Sequence, residues 1–163
     1  RENINPYVDY TFMEENICDD GLFQKISGSK FDTIFHLAAL PRIQPSIVDP
    51  LPSNETNIVG TLKVLMYALK TGASVVYSSS SSIYGQQNQM PIHEYALKKP
   101  KSPYALQKYV GEQYIEVFER LHKDFSATSL RYFNVYGERQ LTEGAYSTVL
   151  GIFLKQKKEG KNG

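Results

Sequence analysis

Apolar residues fall along this chain in two alternating rhythms. Short β-branched and aromatic runs recur at 7–12 (Tyr-Val-Asp-Tyr-Thr-Phe), 31–39 (Phe-Asp-Thr-Ile-Phe-His-Leu-Ala-Ala), 73–77 and 125–132, and each predicts a strand. Between them the apolar positions recur at helical spacing. Asp19-Asp20 ahead of Leu22, Phe23 and Ile26 predict a short helix with acidic residues at its positive end, stopped by Ser27-Gly28-Ser29. Ile58, Leu62, Leu65, Met66 and Leu69 predict a helix over 54–70, with Thr71-Gly72 as its stop. Val110, Tyr114, Val117, Phe118 and Leu121 predict a second long helix over 103–122 with these residues as its apolar stripe. A last helical pattern covers 147–158. Prolines 41, 45, 50 and 52 break the stretch after the second strand, and the polar, proline-punctuated segment 86–101 predicts a surface loop. Strands alternating with helices imply right-handed crossovers and a parallel sheet covered on both faces, an α/β class.

The 163 residues make one domain's worth of chain. Eighteen basic and seventeen acidic side chains leave a net charge of +1, which gives no field for nucleic acid or a membrane surface. One cysteine, Cys18, excludes an internal disulfide framework, and with His36, His93 and His122 it offers no metal-ligand spacing, so no metal is expected. No apolar run approaches the ~20 residues of a membrane helix, and the N-terminus has no signal pattern. These features predict a soluble protein of a reducing compartment, the cytoplasm.

Chemistry concentrates in residues 78–108. The run Ser78-Ser79-Ser80-Ser81-Ser82 stands at a strand's carboxyl end, where open parallel sheets bind ligands. Ser102-Pro103 reads as a helix start, with Ser102 at the N-cap. Tyr104 and Lys108 follow four residues apart and share a helix face, so a phenol and an ammonium can enter one pocket floored by serines. A phenol is a poor base at its ordinary pKa of about 10, and a nearby cation favours the phenolate. Such a set suits removal of a proton from an alcohol while its carbon gives up a hydride to an acceptor such as a nicotinamide. Each signal alone also has a structural reading: a chance Tyr–Lys pair, a serine-rich turn, small residues at 37–39 for close packing.

The sequence resembles the extended short-chain dehydrogenase/reductase family, and within it the nucleotide-sugar 4-epimerases. The resemblance rests on Phe35-His36-Leu37-Ala38-Ala39, Asn57 with Gly60-Thr61, Ser78 to Gly85, Ser102-Pro103-Tyr104-Ala105 with Lys108, and Arg131 to Gly137. It implies a Rossmann-like doubly wound sheet, truncated at both ends. Residues 1–163 would form a partial NAD(P)-binding domain, and 134–163 the start of a substrate-binding region.

It further implies NAD as cofactor and a UDP-sugar such as UDP-glucose or UDP-N-acetylglucosamine as substrate. Tyr104 would be the base, Lys108 would hold the nicotinamide ribose and lower the phenol pKa, and Ser80 would be the hydroxyl partner, with Ser81 and Ser82 assisting at the sugar. Asn16 and Ile17 would meet the adenine, although Asn16 stands where an acidic residue is usual. Leu37, Ala38, Ala39, Asn57 and Ser78 would line the cofactor, with Tyr132 and Phe133 on its nicotinamide side. Asn134 would contact the diphosphate, and Tyr146 and Val149 the uracil end. Related dehydratases carry an acid before the Val-Tyr-Gly of the serine strand, and here that place is Ser82-Ile83. The family's G-x-x-G-x-x-G turn, which holds the pyrophosphate, is absent from these 163 residues. The expectation is therefore either a central piece of a longer epimerase or a folded core without catalysis. Dimerisation through the helices at 54–70 and 103–122 is the expected assembly, a homodimer or larger.

Overall fold

A computed structural model describes residues 10–137 and 149–160. These residues fall into two units, one up to Arg131 and one from Tyr132 on, described separately. In the first unit α1 (Asp20–Lys25) leads to β1 (Thr33–His36), and the proline-punctuated segment folds as α2 (Ile43–Val48) and α3 (Pro50–Asn54). Glu55–Gly60 winds as a π-helix and runs into α4 (Thr61–Thr71). β2 (Ser74–Ser80), a 3₁₀ turn (Ser81–Tyr84), α5 (Pro103–Leu121) and β3 (Ala127–Tyr132) follow. The second unit contains α6 (Val149–Lys158).

The strands form a parallel sheet in the order β1-β2-β3. β1 pairs with β2 in a register that sets Thr33 against Ser74 and His36 against Tyr77. Period-two alternation buries Val75, Tyr77 and Ser79 on one face of β2. Leu65 and Ala68 of α4 and Ile115 of α5 close over Val75 and Tyr77 with Ala73 and Phe125. Full burial of each large apolar side chain there contributes roughly 1.5–3 kcal/mol.

The helix punctuation is as the residues dictate. Ser102 accepts a hydrogen bond from Ala105 N at 3.2 Å, with Pro103 in the first turn. Gly72 ends α4 in the left-handed region at φ 75°, where its N–H reaches Ala68 O at 2.9 Å.

Four expectations change, the first being the strand expected over 31–39, which is confined to Thr33–His36. The strand expected over 7–12 has only 10–12 among the described residues, and these lie in no strand. The helix expected over 54–70 is continuous in path but π-wound in its first part, an insertion of the kind often found near functional sites. On α5 the expected apolar stripe is only part of the buried face: Tyr114 and Phe118 pack half-buried against the core. Val117 and Leu121 are exposed, whereas Tyr104, Ala105, Gln107, Lys108, Gly111, Glu112 and Ile115 are buried. Polar site residues share the inner face of α5, and this is why apolar periodicity alone traced only part of it.

Candidate active site

The carboxyl end of β2 and the first turns of α5 meet at the serines. Close approach is made possible by Gly111, since a Cβ there would lie 2.3 Å from the hydroxyl oxygen of Tyr77. Tyr77, fully buried, lies beneath Lys108, with Nζ 5.0 Å from its ring centroid. Lys108 Nζ donates to the carbonyl of Ser78 at 2.7 Å. Burial pushes this ammonium down to about 8.

Tyr104 follows one turn before Lys108. Its backbone N–H donates to Ser46 Oγ of α2 at 3.1 Å, a buried tie that fixes the start of α5. Burial raises the phenol above its ordinary pKa, and its hydrogen bond with the Ser80 side chain works the other way. Burial, and not the Lys108 charge, governs the phenol here. Ser80 in turn accepts from Ser82 N at 3.2 Å and from Ser82 Oγ at 2.9 Å, as the 3₁₀ turn folds the serine run back on itself. Ser78, Ser80, Ser82, Tyr104 and Lys108 are thus brought together, and Ser81 opens that turn.

The β1 side of the site is built around Asn57. Its amide accepts from Leu40 N at 2.8 Å and donates to Leu40 O at 3.1 Å and to Gln107 Oε1 at 2.9 Å. This side chain, almost wholly buried, therefore ties the loop after Leu37-Ala38-Ala39 to α5. Gln107 Nε2 extends the link to Ser53 Oγ at 2.9 Å. Ile17, Leu37 and Ala38 line one apolar pocket of about 270 Å³ beside β1. Ile17 packs against Gly60, where a Cβ would come within 2.7 Å of its side chain. Asn16 Oδ1 accepts from Cys18 N at 3.0 Å and turns the chain there.

His36 is a core residue. Its Nε2 and Thr61 Oγ1 share a hydrogen bond of 2.9 Å, its ring lies 5.6 Å from that of Tyr77, and burial with the nearby Lys108 charge pushes it down to about 4. Thr61, Glu112 and Arg131 are site-supporting groups to which the sequence reading gave no role. The spacing of Glu112, one turn beyond Lys108 on the same face, was the signal for it. Tyr132, Phe133, Asn134 and Val149 belong to the second unit, and Tyr146 lies outside the described residues.

A phenol and hydroxyl in contact, with a buried ammonium one turn away at a strand's carboxyl end, form an arrangement for moving a proton off an alcohol. The chain matches the NAD dependent epimerase/dehydratase family over residues 1–163. It belongs to that family. Among solved structures, the UDP-glucose 4-epimerase of Thermotoga maritima with UDP-glucose is 33% identical over 99% of this chain and 52% of its own, with a TM-score of 0.88. The UDP-glucose 4-epimerase of Thermus thermophilus in complex with NAD is 30% identical over 100% and 52%, TM-score 0.86. The UDP-N-acetylglucosamine 4-epimerase of Methanobrevibacter ruminantium, in complex with UDP-N-acetylmuramic acid, is 34% identical over 92% and 48%, TM-score 0.84. The Rossmann-like fold is therefore shared with these epimerases. The chain spans about half the length, or less, of the curated relatives it matches.

Proposed function

We propose that this chain carries the proton-transfer centre of an NAD-dependent epimerase acting at C4 of a UDP-sugar. The observation that carries the reading is the placement of Tyr104 and Lys108 one turn apart on the buried face of α5 at the serine end of β2, with Lys108 Nζ on the Ser78 carbonyl at 2.7 Å. NAD, when bound, supplies the acceptor and donor for the hydride at C4. The residues present fit it: Lys108 Nζ uses one donor on Ser78 and has others for a ribose hydroxyl. The apolar pocket at Ile17, Leu37 and Ala38 suits a flat base, with Ala39, Asn57, Tyr132 and Phe133 assigned to the rest of the cofactor.

Tyr104 Oη takes the proton from the C4 hydroxyl and later returns one. Ser80 Oγ, backed by Ser82, shares that hydrogen bond and holds the oxygen in place as the carbonyl forms. Lys108 stabilises the phenolate once Tyr104 has lost its proton. Rotation of the 4-keto sugar presents its other face for the returning hydride, which inverts C4. Asn134, Tyr146 and Val149 are proposed to hold the diphosphate and uracil.

A 4,6-dehydratase is the second reading. It needs an acid for elimination at C5 and C6, and the place for it is Ser82-Ile83, whose Ser82 hydroxyl is bonded to Ser80. Epimerisation is favoured on that ground. A folded core without catalysis is the third. We further propose a cytoplasmic homodimer or larger assembly, supported by the exposed Met66 of α4 and Leu106 and Val117 of α5.

Calorimetry with NAD and chromatographic assay of UDP-glucose and UDP-N-acetylglucosamine test the reading on this chain and on the protein at its natural length. NAD binding with interconversion at C4 is expected. A 4-keto-6-deoxy product turns the assignment to dehydration, and NAD binding without turnover of either sugar removes it. Light scattering that gives a monomer at micromolar concentration removes the assembly.

A further inference from the structure

Glu112 is a buried carboxylate that the proton-transfer chemistry leaves unused, and it joins α5 to β2 and β3. It is 3% exposed. Ser79 Oγ donates to its Oε1. Arg131, near the end of β3, grips it with Nε at 3.0 Å from Oε1 and Nη2 at 2.8 Å from Oε2. The same guanidinium donates through Nη1 to Tyr84 Oη at 2.8 Å and to the carbonyl of Glu94 in the 86–101 loop. Its pKa is raised, chiefly by the bond to Glu112. A charge pair this deep is strongly held only while both partners are present and bonded.

The placement of Ser79 gives the pair its significance. Ser78 and Ser79 are adjacent on β2, and each is bonded to α5. Lys108 reaches the Ser78 carbonyl, and Glu112, one helical turn later, receives the Ser79 hydroxyl. These two links, one turn apart, hold the serine end of β2 on the helix beyond the point where the Tyr77 hydroxyl donates to the Lys108 carbonyl at 3.4 Å. Ser80, which bonds Tyr104, is the next residue, so its position follows from theirs.

We infer that Glu112, acting through Ser79 and anchored by Arg131, is the positioning residue that fixes the Ser78–Ser80 strand end against Tyr104 and Lys108. The inference rests on the catalytic reading above for its effect on turnover, but its geometric content does not. Near-attack geometry tolerates little displacement, and a shift of about 1 Å can cost on the order of a hundredfold in rate.

The test is Ser79→Ala, which removes the strand link and leaves the Glu112–Arg131 pair intact. NMR titration of Lys108 is the first readout. The Lys108 midpoint is expected to move by at least about half a unit, because both its bond to the Ser78 carbonyl and its burial depend on the strand end staying in place. Turnover of the natural-length protein with NAD is the second. A fall in kcat of about tenfold to a hundredfold is expected, with KM for the UDP-sugar within about twofold. Ser79→Thr, which restores a hydroxyl, is expected to recover both. Should Ser79→Ala not fold, Ser79→Cys, close in size with a weaker donor, is read in the same way. An unmoved Lys108 midpoint overturns the inference, whatever the activity. A moved midpoint in a protein whose parent does not epimerise overturns the functional reading and supports this one.

Discussion

Lys108 donates its ammonium to the backbone carbonyl of Ser78 at 2.7 Å, so the two halves of the site, helix start and strand end, hold each other. The bond engages a side chain, not a terminus, and it is one of the links through which a movement of α5 reaches the serines, the Ser79–Glu112 bond being another. Tyr104 lies one turn earlier on the same helix, in contact with the next even-numbered serine.

Tyr104→Phe keeps the ring and its packing and removes only the phenolic oxygen. General acid–base groups contribute about 10²–10⁴-fold, so kcat for C4 epimerisation is expected to fall by at least a hundredfold with KM little changed. Steady-state assay of the natural-length protein measures it, alongside calorimetry showing that NAD is still bound.

His36 is held neutral by burial, at about 4 against an ordinary 6.5. Between those values the unfolded chain binds a proton that the folded chain does not. Stability is therefore full above pH 6.5, falls as pH drops toward 4, and levels below, by roughly 3 kcal/mol in all. Denaturant unfolding across this window is expected to show that slope in the parent and to lose it in His36→Leu.

Lys108 gives a second window on the alkaline side. Its folded value of about 8 lies below the ordinary 10.5, so the unfolded chain holds the extra proton between them and stability rises with pH through that interval. Lys108→Met is expected to flatten the rise, as urea midpoints measured from pH 8 to 10.5 will record.

Gly111 is required by contact. An added Cβ would meet the Tyr77 hydroxyl oxygen at 2.3 Å and its ring at 2.6 Å, so Gly111→Ala is expected to destabilise by about 1–3 kcal/mol despite the better helix propensity of alanine. Gly21→Ala on α1 is the contrast, since nothing lies within 4 Å of its Cβ position. There a gain of about 0.5–1 kcal/mol is expected. Thermal unfolding of both variants decides.

Asn57→Ala removes the links to both backbone groups of Leu40 and to Gln107. Three bonds are lost, the one to Gln107 fully buried, which makes this a loss on the order of 2 kcal/mol. Hydrogen exchange at the Leu40 amide is expected to accelerate well beyond the global change, because that N–H loses its own acceptor.

Local rules made much of the fold legible. The Ser102-Pro103 start, the Gly72 stop and the β-branched run at 73–77 each act within a few residues, and each stands where the sequence placed it. The Tyr104–Lys108 face needed only the helical repeat. The shortening of the 31–39 strand to Thr33–His36 was not legible, because its length depends on the register with β2. Nor was the burial of Gln107 and Glu112 beside the Tyr104–Lys108 face: a glutamine and a glutamate on a helix read as solvated until their partners are known.

By itself, then, the sequence determined the alternation of strands and helices, the caps, and the residue types that meet at 78–108, since propensity, periodicity and helical spacing are short-range. Tertiary structure alone decided what those residues touch. Glu112 finds Ser79 at a separation of 33 residues and Arg131 at 19, and Asn57 finds Gln107 at 50. Burial of a charge or an amide is tolerable only where such distant partners converge, and that convergence is a property of the packed sheet and helices.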